Sequence, residues 1–262
     1  MILKNKFGLI TGASQGLGKA FAEALLKKDA KVVMMDINKS EGEATKAEFD
    51  KKYGPGRASF ISCDVTNQIQ LKDTFNKVVQ EFGRIDILCN NAGINNENMW
   101  EKTIAVNLVA LIQASYLAVQ HMRHDHGGQG GNIVNVASMS SFLPAAHAPV
   151  YTASKHGVVG FTRSLAEASR LGNYGICINA LCPSFVNTSI LDTINHKENL
   201  GNFYQFKDRV KNLINVIGVL ETSEIATGFL QLVEDGKLNG VVMKITPSKR
   251  IHFEDYQNNP CF

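Results

Sequence analysis

Tyr151 and Lys155 stand four residues apart in Tyr-Thr-Ala-Ser-Lys, and Ser138 lies thirteen residues before the tyrosine. Residues four apart share one face of a helix, so a phenol and an ammonium at this spacing can converge. A free tyrosine titrates at ~10 and is a poor base at neutral pH. A cation held beside it favours the phenolate and lowers that value. A serine hydroxyl nearby can hold the oxygen that the tyrosine protonates or deprotonates. Together the three groups suit removal of a proton from an alcohol, on condition that something else takes the hydride.

The place for that acceptor is marked near the N-terminus. A short apolar strand at 7–10 runs into Gly12-Ala13-Ser14-Gln15-Gly16-Leu17-Gly18, which opens a helical stretch at 19–28. Glycine lets such a turn take positive φ and lets backbone approach a pyrophosphate. The helix N-terminus then offers free N–H groups and the positive end of its dipole to an anion. The spacing differs from the commoner Gly-x-Gly-x-x-Gly, and a glycine turn alone could be a plain strand–helix connection. A strand before it, a helix after it and an acid ending the next strand favour a dinucleotide. Asp36 is that acid. Its carboxylate can accept from an adenosine ribose and repels a 2′-phosphate, and Ile37 beside it adds no positive charge. NAD is therefore expected rather than NADP, although Lys19 and Lys39 are basic groups nearby. Asp36 can also cap the segment after it. Taken singly, Tyr151, Lys155 and Ser138 could be a strand-end tyrosine, a solvated lysine and a turn serine. Their joint spacing behind this turn argues against that combination.

The elements that must carry these groups alternate. Strands at 7–10, 31–35, 58–63, 85–89, 132–137, 176–181 and 241–245 are separated by helices at 19–28, 40–53, 71–82 and 101–123. A further helix carries Tyr151 and Lys155 to about residue 171, and another spans 223–233. Alternation of this kind argues for a parallel sheet covered by helices on both faces. No linker divides the chain, so one α/β domain over 1–262 is expected. Residues 186–220 are too long for a plain connection and are expected to form a substrate lid. Phe203, Tyr204 and Phe206 within it read either as a cover over substrate or as anchors to the core.

Bulk properties narrow the class. The chain has 262 residues, 44% of them hydrophobic, enough for a sizeable core. The net charge is +3 with its basic residues dispersed, which gives no nucleic-acid footprint. The most apolar run, 104–119, is broken by Asn107 and Gln113 and reads as no membrane span. No signal-peptide pattern is read at the N-terminus, and Asn-Pro-Cys-Phe at the C-terminus does not suit prenylation. Cys63, Cys89, Cys177, Cys182 and Cys261 show no paired spacing, which suggests reduced, mostly buried thiols and a cytoplasmic protein. His121 and His124 share a helix face, with His126 beyond them. A solvated helix end suits them better than a metal, and no metal site is assigned. His147 reads either as lining the substrate mouth or as a surface residue.

Several separated motifs coincide with one family. Thr11–Gly18, Cys63-Asp64-Val65, Asn90-Asn91-Ala92-Gly93, Asn107, Ser138 and Tyr151-x-x-x-Lys155 resemble the classical short-chain dehydrogenases/reductases, in that family's order. The resemblance implies a single doubly wound Rossmann domain with a seven-stranded parallel sheet. It implies a catalytic tetrad of Asn107, Ser138, Tyr151 and Lys155, with Asn107 holding a relay water and Lys155 also bonding the nicotinamide ribose. It implies that Asp64 and Val65, with Cys63, flank adenine and that Asn91, Ala92 and Gly93 line the nicotinamide side. Val186, Asn187 and Thr188 would meet the carboxamide. Pro183-Ser184 replaces the family's usual Pro-Gly before that segment. Helices such as 101–123 and 152–170 pack as a homodimer bundle in this family, and Val158, Val159, Phe161 and Leu165 are apolar residues available for it here.

Within the family the likeness extends, tail included, to members that oxidise hydroxyprostaglandins with NAD. Their pattern implies Ser138, His147, Ala148, Tyr151, Phe185 and Ile217 around the substrate. It also implies a glutamine where Ala148 stands and a tyrosine where Ile217 stands, so two polar handles are absent. The expected function is NAD-dependent oxidation of a secondary alcohol on a lipophilic substrate, a hydroxyprostaglandin or hydroxy fatty acid first. Ala148 and Ile217 favour the alternative of a steroid or isoprenoid alcohol. A non-catalytic NAD-binding regulatory protein is a third reading, opposed by the complete tetrad.

Overall fold

The computed structural model describes residues 1–256. Along the chain, β1 (Phe7–Thr11) leads into α1 (Gly16–Lys27), β2 (Lys31–Asp36) into α2 (Lys39–Tyr53), and β3 (Ala58–Ser62) into α3 (Gln68–Phe82). After β4 (Ile87–Asn90) comes a long helical run. It consists of α4 (Trp100–Ile104), a wider π-helical turn over Ala105–Ala110, and α5 (Leu111–Met122). Then β5 (Gly131–Val136) precedes α6 (Pro149–Leu171), and β6 (Ile176–Pro183) precedes three short pieces, α7 (Ser189–Asp192), α8 (Lys197–Leu200) and α9 (Lys207–Ile217). The chain closes with α10 (Thr222–Glu234), β7 (Val242–Thr246) and β8 (Arg250–Phe253).

Local chemistry explains these boundaries. Asn38 and Asn67 precede α2 and α3, and each side chain accepts from a backbone N–H three residues on. Glu221 and Glu224 form a reciprocal capping box at the start of α10. The inner strands β1, β2 and β4 to β7 carry mostly buried side chains, as a sheet covered on both sides requires, whereas the edge strands β3 and β8 are only partly buried.

The sheet runs β3-β2-β1-β4-β5-β6-β7-β8, parallel throughout except for β8. Among the described residues it therefore has eight strands where seven were expected. The added strand, Arg250-Ile-His-Phe253, is an edge strand with basic and polar residues that show no apolar run. It is recognisable only through its antiparallel pairing, Ile245 opposite Ile251. From β1 the chain builds outward to β3, then returns to lay β4 on the other side of β1. The connections after β1 and β4 diverge, which opens a crevice at the carboxyl ends of the strands.

Two large cores flank the sheet. On one face, Phe21 of α1 stacks on Phe229 of α10 with ring centroids 4.7 Å apart, among Leu25, Met34 and Met243. On the other, Leu71, Phe75 and Val78 of α3 pack with Leu9, Leu88 and Ile178. Val158 and Val159 are buried in a third cluster with Leu111 and Ala180. The expectation that these two valines were free for a partner is therefore corrected, because they face the sheet of their own chain. Val109 and Tyr116 are exposed on the helical run, and the Tyr116 ring meets half-buried Phe161 edge-on at 5.7 Å.

The run Trp100–Met122 is long and apolar enough, by length and composition alone, to cross a membrane. This modifies the reading of its sequence, in which Asn107 and Gln113 broke the span. Here Ala110, Leu111, Ala114, Ala118 and Met122 are buried against the protein, as in a core helix. Cys63, Cys89 and Cys182 are buried, Cys177 is half-buried and all four are free thiols. Cys261 lies outside the described residues.

Candidate active site

A cleft of about 1410 Å³ opens over the carboxyl ends of the strands. That exceeds the ~300–1,000 Å³ of an ordinary ligand pocket, so it has room for two ligands side by side. One end is built by the glycine turn. A Cβ at Gly18 would lie 2.1 Å from the Gly12 carbonyl oxygen and 2.7 Å from Asn91 Nδ2, so no side chain fits there. Gly12 adopts φ +62° within the same close approach. Gln15 gives α1 no side-chain cap, which leaves the first-turn N–H groups facing the cleft. Gly12, Gln15, Gly16 and Leu17 line this end, whereas Gly18 and Ser14 stand behind it and hold its shape.

Asp36 sits at the end of β2 on the cleft wall, with exposed Ile37 beside it. Its Oδ2 accepts from the Ser14 amide at 3.0 Å and the Ser14 hydroxyl at 2.6 Å, and Oδ1 accepts from the Asn38 amide at 3.0 Å. The carboxylate thus fixes the glycine turn and caps the turn into α2, while remaining at the cleft. Lys19 is paired with Glu48 at 2.8 Å, so one of the two nearby cations is occupied. Cys63, Asp64 and Val65 line the same end. Asp64 is held in its turn by the Thr66 amide and hydroxyl at 2.9 and 2.7 Å.

Asn91, Ala92 and Gly93 form the floor. The buried Thr11 hydroxyl accepts from both the Asn91 and the Ala92 amides at 3.0 Å. The Asn91 side chain returns bonds of 3.0 and 2.9 Å to the Thr11 and Gly12 carbonyls. Thr11 was missed as a functional residue, although it stands one position before the glycine turn.

Tyr151, Lys155 and Ser138 meet on one wall. Burial pushes the Tyr151 phenol up to about 12, and its hydrogen bond with the Ser138 side chain works against that rise. Burial also brings the Lys155 ammonium down to about 8. Its Nζ donates to the Val136 carbonyl at 2.8 Å and lies 5.6 Å from the Tyr151 ring centroid. Desolvation is thus the largest influence on the phenol.

Asn107 is fully buried in the π-helical turn and does not line the cleft. Its Oδ1 accepts from the Ile94 amide at 2.8 Å. Its Nδ2 donates to the Ile94 carbonyl at 2.9 Å and the Ser154 hydroxyl at 3.1 Å. The amide thus ties the floor to α6.

The far end of the cleft is apolar. His147, Phe185 and Ile217, read as substrate residues, line the cleft, as do Val186 and Thr188, read as carboxamide contacts; Thr188 lies beside Gly16 of the glycine turn. Burial keeps the His147 imidazole below its usual pKa, which favours the neutral ring. Two expected residues do not reach it. Ala148 is 1% exposed, because the turn that starts α6 carries its methyl inward and gives the wall to Ala145, Ala146, His147 and Pro149. Asn187 is drawn aside by the bridge between Val186 and Leu220 and by its own amide bond to Leu220. The sequence reading missed Leu143, Ile190, Leu213, Val216 and Arg209 on this wall. Apart from Leu143, their only signal was membership of the long segment between β6 and α10. Of its aromatics, Phe206 lines the cleft, while Tyr204 packs on the Ile194, Leu200 and Val210 cluster.

Residues 6–199 match the short chain dehydrogenase family. The chain is 52% identical over 260 residues to 15-hydroxyprostaglandin dehydrogenase [NAD(+)] of Macaca fascicularis, covering 99% of this chain and 98% of that protein. The protein of the same name from Homo sapiens gives the same identity and the same coverage. Among solved structures, that of levodione reductase superposes with a TM-score of 0.81 at 28% identity, covering 93% of this chain and 96% of the other.

Proposed function

The chain belongs to the short-chain dehydrogenase family, and on that premise we propose that it oxidises a secondary alcohol on a lipophilic substrate with NAD. A hydroxyprostaglandin or a hydroxy fatty acid is the first choice. The observation that carries this reading is the placement of Tyr151 and Ser138 on one cleft wall, between a glycine-built nucleotide end and an apolar end. Identity of 52% along the whole chain to NAD-dependent prostaglandin dehydrogenases supports the substrate class.

The residues fit a dinucleotide. Gly12, Gly16 and the start of α1 would hold its pyrophosphate, Asp36 its adenosine ribose, Asp64 and Val65 its adenine, and Ala92, Gly93 and Thr188 its nicotinamide end. When bound, NAD takes up the hydride that leaves the carbinol carbon. Tyr151 removes the hydroxyl proton, and Ser138 holds the reacting oxygen in line with the phenol. Lys155 supplies the positive charge behind the tyrosine, fixed by the Val136 carbonyl. Asn107 keeps the floor and α6 in register through Ile94 and Ser154. General acid–base transfer of this kind contributes ~10²–10⁴-fold, and the rest comes from positioning.

Residues 186–220 act in this reading as a lid over the lipid. Arg209 and Lys102 set two cations on the cleft wall with no salt bridge to an acid among the described residues, which favours a lipid acid. Ile217 and the apolar walls suit the second reading, a steroid or isoprenoid alcohol. We further propose a cytoplasmic homodimer packed through the Trp100–Met122 run and α6. Exposed Val109 and Tyr116 and half-buried Phe161 form its apolar face, and the free thiols suit a reducing compartment.

The test is NADH formation across hydroxy-eicosanoids, hydroxy fatty acids, steroids and isoprenoid alcohols. Turnover of the acidic lipids in preference to the neutral ones is expected. NADH formation with the neutral alcohols alone moves the assignment to the second reading. No NADH formation with any of them refutes the dehydrogenase reading.

A further inference from the structure

Glu97 is a buried acid with no part in the proton or hydride transfer. It lies between β4 and α4, is 8% exposed and does not line the cleft. Its Oε2 accepts from the Val150 amide and its Oε1 from the Tyr151 amide, each at 3.0 Å. The need for these bonds arises from the sequence at the start of α6. Ala148 has no side-chain acceptor and Pro149 has no N–H, so the next two amides depend on a group from elsewhere. An anion at a helix N-terminus is also favoured by the dipole. Because both carboxylate oxygens are engaged, Glu97 fixes the rotation of the first turn of α6, and with it the backbone that carries the phenol.

The same short segment holds the lid. The Glu97 amide donates to the Asn199 carbonyl at 2.7 Å, and Asn98 Nδ2 donates to the Glu198 carbonyl at 2.8 Å. Asn96 Nδ2 reaches Asn199 Oδ1 at 3.2 Å, and Asn95 Nδ2 reaches the Thr193 hydroxyl at 3.1 Å. Thr103 anchors the segment to α4 by donating to the Asn96 carbonyl at 2.7 Å. Four consecutive residues thus grip residues 193–199, while the third of them holds the start of α6.

We propose that Glu97 is a positioning residue for Tyr151, and that residues 95–98 make the placement of the phenol depend on the seating of the lid. The proposal rests on the reading of Tyr151 as the base.

The experiment compares full-length Glu97→Ala, Glu97→Gln, Asn98→Ala and Tyr151→Phe with the unaltered protein. Active sites are counted by NADH fluorescence titration, and turnover is measured with NAD and a hydroxyprostaglandin. Glu97→Ala is expected to lower kcat per NADH site by roughly ten- to a hundredfold, the scale of a small misplacement, with KM for NAD unchanged. Glu97→Gln keeps one acceptor and is expected to fall between. Asn98→Ala touches the lid tie alone and is expected to raise KM for the lipid several-fold. A kcat per NADH site within about twofold of the original in Glu97→Ala, whatever its melting temperature, overturns the positioning role. If that variant does not fold, an unchanged kcat in Glu97→Gln does the same. An unchanged lipid KM in Asn98→Ala overturns the link to the lid. Turnover within a few-fold of the original in Tyr151→Phe overturns the underlying reading instead, independently of the Glu97 results.

Discussion

The Lys155 ammonium stands 5.6 Å from the centre of the Tyr151 ring and donates its hydrogen bond to the Val136 carbonyl. The cation is in the right place, yet burial still holds the phenol up at about 12. Tyr151 must lose its proton to act as a base, so the active fraction grows as pH rises. The kcat/KM for alcohol oxidation is expected to increase about tenfold per pH unit below the apparent pKa. Ketone reduction needs the protonated phenol, the prevailing form well below about 12, and is expected to stay level until the pH approaches that value. The Ser138 hydroxyl works against the rise, so Ser138→Ala is expected to move the oxidation profile to higher pH. An oxidation profile flat from pH 6 to 9 would show that the phenol is not the titrating group.

Asp36 holds the glycine turn through Ser14 and faces the cleft. Asp36→Asn removes the charge that repels a 2′-phosphate while keeping an acceptor for the Ser14 hydroxyl. NADH is expected to bind about tenfold more weakly, the scale of one lost charge-assisted bond. The gap between NADH and NADPH should narrow. Fluorescence titration with the two reduced cofactors reads both, and an unaltered ratio sinks the assignment of Asp36 to cofactor choice.

Thr11 accepts two backbone amides beneath the cleft floor with one hydroxyl. Thr11→Val is isosteric but leaves both donors without that acceptor. A loss of about 1–3 kcal/mol is expected, seen as a melting temperature lower by several degrees together with weaker NADH binding. A variant as stable as the original would mean that these amides find other partners.

Arg209 tests the acidic lipid. It is exposed on α9 at the cleft wall, so its worth to a carboxylate is about 1 kcal/mol, or ~fivefold in KM. Arg209→Ala is expected to raise KM for a free hydroxy acid by that factor and to leave the methyl ester unchanged. Equal effects on acid and ester would mean that the arginine contributes only packing.

What the sequence disclosed depended on whether the signal was local. Tyr151 and Lys155 were legible because helix periodicity places them together, and the glycine turn because a strand precedes it and a helix succeeds it. The strand β8 was not, since an alternation of only four residues, Arg250 to Phe253, is too short to mark a strand without its partner. The family resemblance placed Ala148 at the substrate, but the N-terminal turn of α6 points it inward. The roles of Asn107 and Glu97 rest on bonds to residues 13 and 54 positions away. No pattern of spacing encodes such pairings.

The most direct test of the central claim is Tyr151→Phe, assayed for NADH formation with a hydroxyprostaglandin and titrated with NADH. The substitution removes one hydroxyl from the cleft wall and leaves the glycine turn and Asp36 untouched. Turnover is expected to fall by at least ~10²-fold with NADH affinity unchanged. Turnover within a few-fold of the original would contradict the assignment of Tyr151 as the base.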